Sequence, residues 1–191
     1  MQRLNSASHP FSTRPQTVSA RDFVRELAAA RIGRTFNQYS RSRLRRERLV
    51  AYLESRQDAR ILLVGEAPGH RGARVSGIPF TSERQLTGTR PGEATATIVH
   101  GVLRELGIEN DVLLWNVVPT HPGTASSNRA PTRAEIAAGL RFLTPLAAGR
   151  TVVAVGRVAE RALGISGIRH PSHGGGEAFR SGLRSVTSSD V

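Results

Sequence analysis

The sequence predicts an α/β fold, a three-layer αβα sandwich around a central four-stranded parallel sheet. Short continuous apolar runs recur at Ile61-Leu62-Leu63-Val64, Val112-Leu113-Leu114-Trp115 and Thr151-Val152-Val153-Ala154-Val155, the pattern of strands buried on both faces. Stretches with apolar residues at helical spacing separate these runs. Strands alternating with helices imply parallel pairing, with helices on both sides of the sheet. A site in such a sheet forms at the carboxyl ends of the strands.

Each element has a local reason. Residues 1–18 are rich in Ser, Thr, Pro and Arg without periodicity and read as a flexible N-terminal arm, which leaves 19–191 as a single domain. Ser19 caps a helix expected to reach Ala30, with Phe23, Leu27 and Ala30 on one face. A second helix is expected over 42–55, with Leu44, Val50 and Leu53 apolar. Arg41, Arg43, Arg45, Arg46 and Arg48 crowd its start, as a solvated face or as phosphate contacts. A Gly-rich loop spans 65–90 after the first strand, and a helix follows over 92–106. A Pro-rich loop after the second strand runs to Thr132, which caps a helix with Ile136, Leu140 and Leu143 inward. Gly156 opens a helix to Leu163, Ile168-Arg169-His170 reads as the fourth strand, and 176–185 as the last helix.

Composition narrows the function. The chain has 191 residues and a formal net charge of +12, and all 27 of its basic residues are arginine. Codon usage accounts for the missing lysine as readily as selection does. The sign of the charge still points toward nucleic acid, because the planar guanidinium suits phosphate oxygens. Cysteine is absent, which excludes disulfides, thiolate nucleophiles and cysteine-ligated clusters. The histidines share no HExxH or comparable spacing, so no metal site is expected. With no apolar leader and no membrane-length segment, the reading is a soluble, cytoplasmic protein without membrane contact, monomeric by default.

The predicted topology gathers chemistry at one sheet edge. The first strand delivers Gly65-Glu66-Ala67-Pro68-Gly69 and the loop to Phe80, the second delivers Asn116, and the fourth delivers His170. A carboxylate, an amide, an imidazole and an aromatic ring thus converge. An amide at the buried end of a strand needs partners, and an unfilled pocket leaves it short of them. The 65–69 loop is neither a Walker sequence nor a dinucleotide fingerprint, and Pro68 removes a backbone donor.

These residues resemble the uracil-DNA glycosylase superfamily, and most closely its iron–sulfur branch, family 4. The resemblance rests on Gly65-Glu66-Ala67-Pro68-Gly69, Gly77-Ile78-Pro79-Phe80, Asn116-Val117-Val118, Asn128-Arg129-Ala130-Pro131-Thr132 and His170-Pro171-Ser172. Each motif alone is weak, but together, in this order and spacing, they are specific. The match covers roughly 60 to 185. The departures are as informative. Where that branch has Lys-Cys-Arg-Pro-Pro, this chain has Pro119-Thr120-His121-Pro122, so a cluster is not expected and loop contacts must replace it. Its acidic stretch becomes His70-Arg71-Gly72-Ala73-Arg74, which reverses the local charge.

The resemblance implies an enzyme of base excision repair that removes uracil from DNA, releases free uracil and leaves an abasic site, in a bacterial cytoplasm at the nucleoid. With no cysteine to hold that branch's cluster, no cofactor is expected. The resemblance makes Phe80 the platform for a flipped base, Asn116 the reader of the uracil edge and His170 the donor to O2 as negative charge develops. Glu66 is implied beside the sugar cation, with Ala67 where several relatives place a water-positioning Asp or Asn. Gly65, Ala67, Gly69 and His70 complete the base site. Relatives exclude thymine with an aromatic residue at the position of Gly69, so here His70 or neighbouring backbone must close that gap. Arg71, Arg169, Ser172, His173 and Gly174 are implied DNA contacts, although the 172–176 loop lacks a bulky wedge. Other readings stay open: the same fold acting on hypoxanthine or xanthine, a non-catalytic DNA-binding protein, or a nucleotide-binding flavodoxin-like domain.

Overall fold

The computed structural model describes residues 19–188. The expected arm at 1–18 lies outside the described residues. The elements follow in the order α1 (Ala20–Ala29), α2 (Arg43–Ser55), β1 (Ile61–Gly65), α3 (Ala73–Ser76), α4 (Glu83–Thr87), α5 (Ala94–Glu105), β2 (Val112–Asn116), α6 (Arg133–Ala147), β3 (Thr151–Val155), α7 (Arg157–Leu163), β4 (Gly167–Ile168) and α8 (Gly176–Ser188). The four strands form one parallel sheet in the order β2-β1-β3-β4.

Strand alternation divides the core in two. Leu62, Val64, Leu113, Trp115 and Ala154 face a layer built from α1, α2, α6 and α7, with Phe23, Leu49, Leu53, Phe142 and Ala159 against them. Ile61, Leu63, Val112, Leu114, Val153 and Val155 face the opposite layer, where α5 and α8 supply Val99, Val102, Leu103, Phe179 and Leu183. β1 is apolar from Ile61 to Val64 and β2 from Val112 to Trp115 because both faces of the sheet are covered there. The β1-to-β2 crossover carries α5 on one face and the β2-to-β3 crossover carries α6 on the other. The chain therefore leaves the middle of the sheet in two directions, and the carboxyl ends of β1 and β3 open a crevice there.

Local chemistry explains most boundaries. Ser19 accepts a hydrogen bond from the Asp22 N–H, and Thr132 with Glu135 forms a capping box at the start of α6. Three expectations need correcting. The 65–90 loop contains the short helices α3 and α4. Leu44 is exposed, and Leu49 takes the buried position on α2. The fourth strand is Gly167–Ile168 rather than 168–170, because only Ala154↔Gly167 and Val155↔Ile168 pair. His170 thus lies beyond the strand, in the loop that follows.

The arginine run on α2 divides as well. Arg45 Nε donates to Val75 O at 2.8 Å, Arg46 Nη1 to Tyr39 O at 2.8 Å, and Arg48 grips Glu83 through two bonds of 2.9 and 2.8 Å. These cations bind the 73–83 segment and the chain before α2, so they hold the fold rather than a solvated face.

Candidate functional site

A cavity of about 250 Å³ opens at the carboxyl ends of the strands. That is smaller than the roughly 300–1,000 Å³ of pockets for drug-sized ligands, and it suits one small ring. Of the residues singled out from sequence, Glu66, Ala67, Gly69, Phe80, Asn116, His170, Ser172 and His173 line it. Gly65 does not. It lies beneath Phe80, where a Cβ would stand 2.3 Å from the ring's Cζ, so glycine is what lets the ring settle there. His70 is also outside the lining; its backbone N–H donates to Asn128 Oδ1 at 2.9 Å and its ring lies against the same oxygen. Arg71 lines an adjoining cavity, while Arg169 and Gly174 are exposed and line neither. A larger cavity of about 780 Å³ between α1 and α2 contains none of these residues.

Phe80 is held in the left-handed region at φ 53°. A bulky side chain there costs of order 1–3 kcal/mol, a strain that clusters at functional sites. The surrounding segment enforces it: Ser76 Oγ donates to Thr81 O at 2.6 Å, and Thr81 Oγ1 donates to Pro79 O at 3.0 Å.

Asn116 ends β2 in register with Gly65 and is only 3% exposed. Its carboxamide makes no hydrogen bond to another described residue, although buried amides are almost always paired. The backbone beside it is fixed, because Val117 N–H donates to Gly65 O at 2.8 Å and Val118 N–H to Glu66 O at 3.0 Å. A buried, unpartnered amide that lines a cavity is able to meet a ligand's donor and acceptor.

His170 is half-buried, and its Nδ1 accepts from the Ser172 N–H at 3.2 Å with Ser172 Oγ 2.8 Å away. That contact assigns the ring hydrogen to Nε2. Burial, then Arg169 and then His173, hold its pKa below the ordinary 6.5, so the ring is neutral at pH 7. Gly156 admits it closely, since a Cβ there would stand 3.0 Å from the His170 Cβ.

Two carboxylates share the cavity. Burial raises the pKa of Glu66, which Arg161 partly offsets. Burial also raises that of Glu93, which the sequence did not single out, and His70 partly offsets it. Glu93 precedes α5 at its N-cap, yet its side chain does not cap the helix. It turns instead onto Gly69 and Gly72. Only the lack of a side chain at both glycines hinted at a group packed over them. Beyond Glu93 lies a cavity of about 650 Å³ lined by Arg71, Arg84 and Arg90. Among the described residues no set of three or more His, Cys, Asp or Glu side chains is placed to hold a metal ion.

The segment expected to manage without a cluster is tied by hydrogen bonds. His121 is fully buried, with Nδ1 2.7 Å from Pro68 O and Nε2 2.8 Å from Thr124 O. Thr120 pairs with Thr35 at 2.5 Å. Glu135 receives Arg129 through bonds of 2.8 and 2.7 Å, and the N–H groups of Thr132 and Arg34 at 2.9 and 3.1 Å.

A family model, the uracil DNA glycosylase superfamily, matches residues 53–185, more than half of the chain. The crystal structure of wild-type SMUG2 from Pedobacter heparinus superposes with a TM-score of 0.68 at 15% identity, covering 89% of this chain and 97% of that one. No curated protein matches the sequence.

Proposed function

We propose that this chain, which belongs to the uracil DNA glycosylase superfamily, hydrolyses the N-glycosidic bond of deoxyuridine in DNA, releasing uracil and leaving an abasic site. The observation that carries the reading is the meeting of Phe80, Asn116 and His170 around one cavity sized for a single ring. Simple phosphate binding requires none of the three.

In this mechanism uracil flips out of the stack, at a cost of a few kcal/mol, and rests on Phe80. The Asn116 carboxamide donates to O4 and accepts from N3–H. Cytosine reverses both groups and leaves buried partners unpaired, at roughly 1–3 kcal/mol each. As the bond lengthens, negative charge gathers on O2, and the neutral His170 donates to it from Nε2–H. Glu66 faces the positive sugar, and its carboxylate or the neighbouring backbone orients the attacking water. Arg71, Arg84 and Arg90 line the adjoining cavity as contacts for DNA phosphates, with Arg169, Ser172, His173 and Gly174 on the loop after β4. The protein acts as a monomer in base excision repair in the cytoplasm, without a cofactor. No helix among the described residues is long and apolar enough to cross a membrane.

The test is a labelled oligonucleotide with a single uracil, hypoxanthine or xanthine, treated with the protein and then alkali. Strand cleavage at uracil is expected. Cleavage only at hypoxanthine or xanthine, or none at any base, overturns the reading.

A further inference from the structure

We propose that Glu93 is a specificity-determining residue whose carboxylate walls the base cavity at the C5 edge of the pyrimidine and excludes a 5-methyl group. The inference rests on the uracil reading above and adds what that reading leaves open: how thymine is kept out when residue 69 is glycine.

The geometry carries it. An ideal Cβ on Gly69 would lie 2.0 Å from Glu93 Oε1, and one on Gly72 would lie 2.0 Å from Oε2. The carboxylate therefore occupies the space that a side chain at 69 would otherwise fill, and it lines the cavity beside Phe80 and Asn116. It has no ion pair or hydrogen bond to another described residue, and His70 only partly offsets its burial. It does not serve its own helix as a cap either. Glu66 cannot take this role as well, since the reading above places it beside the sugar. Nor can His70, whose ring is turned onto Asn128.

The ring of the base fixes which edge Glu93 meets. With O2 on His170, beyond β4, and N3–H and O4 on Asn116 at the end of β2, the C5–C6 edge turns away from His170. It then faces the loop after β1 and the start of α5, where Gly69 and Glu93 lie. Uracil brings a C–H there. Thymine brings a methyl, which crowds the carboxylate and strips water from it without offering a hydrogen bond. One methyl group is commonly worth about 10–200-fold in a fitted pocket.

The experiment measures single-turnover excision of uracil and thymine, each opposite guanine in the same duplex, by the parent, Glu93→Ala and Glu93→Gln. The expected result is a thymine-to-uracil ratio raised by about tenfold or more in Glu93→Ala, and within about threefold of the parent in the isosteric Glu93→Gln. An unchanged ratio in Glu93→Ala, with the parent active on uracil, overturns the role of Glu93 alone. Loss of uracil excision in a Glu93→Ala protein that melts like the parent also overturns it, by moving Glu93 into the chemistry. A parent inactive on uracil overturns both this inference and the reading beneath it. Glu93→Ser reads the same ratio if the alanine variant does not fold.

Discussion

Two polar regions adjoin at Arg129, which lines the cavity and grips Glu135, and they differ in how their buried groups are satisfied. Around Glu135 the polar atoms are met: one carboxylate takes an arginine fork and two backbone N–H groups. His121, fully buried, spans two carbonyls. Around the cavity the pattern reverses. Asn116 is buried without a hydrogen-bond partner among the described residues, Phe80 is strained, and Glu66 and Glu93 are both raised in pKa by burial. The first region uses its polar groups as a brace that holds loops together. The second leaves them unmet, which is the pattern the proposed uracil site requires.

The sharpest way to break the contrast is His170→Ala. Uracil excision should fall about 100–1,000-fold, the usual effect of losing an oxyanion donor, while the melting temperature stays near the parent's. A rate within a few fold of the parent would remove His170 from the chemistry.

The brace should respond in the opposite sense. Glu135→Ala strands the donors of Arg129, Thr132 and Arg34 and should cost about 3 kcal/mol, or roughly 6–12 °C in Tm. Acid should act on the same group. The Arg129 guanidinium holds the Glu135 carboxyl down to about 2, against an ordinary 4.5. A depressed folded pKa means the stabilisation is complete above about 4.5 and disappears as pH falls toward about 2. Denaturant melts between those values should show Glu135→Gln losing less stability than the parent. Equal losses would mean the pair contributes nothing.

Asn116→Ala should lower uracil excision about 10–100-fold, since two hydrogen bonds to the base go unmade. It should not lower Tm, because no internal bond is broken. A clear drop in Tm would place Asn116 with the brace. Asn116→Asp should raise cytosine excision relative to uracil; an unchanged ratio would mean that Asn116 does not read the base. The smallest effect is expected from Arg84→Ala with Arg90→Ala. Affinity for DNA should weaken evenly across sequences, with the salt slope reduced by about 1 for each phosphate the variant no longer neutralises. An unaltered slope would take DNA off that surface.

The sheet and its long helices were legible because β1, β2 and β3 are continuous apolar runs and their crossovers carry helical periodicity. The residues that converge at the cavity were legible for a related reason: once the strands are parallel, whatever follows them shares one edge. Tertiary contacts hid the rest. Helices α3 and α4 are short and flanked by glycine and proline, and they are held from outside by Arg45 and Arg48. The start of β4 depends on Gly167 lying against Ala154, where a Cβ would come within 2.3 Å of the carbonyl oxygen. Nothing in the glutamate at 93 announces that it turns away from its own helix. Its signal lay in the paired glycines at 69 and 72, which carried meaning only once another side chain was seen to fill their space.

Whether Phe80, Asn116 and His170 together make a uracil site is tested most directly by the position of free uracil in crystals of this protein soaked with the base. The ring should stack on Phe80, with its N3–H and O4 on the Asn116 carboxamide, O2 on His170 Nε2 and C5 toward Glu93. Uracil bound in the groove between α1 and α2, or a base cavity still empty at saturating uracil, would contradict that assignment.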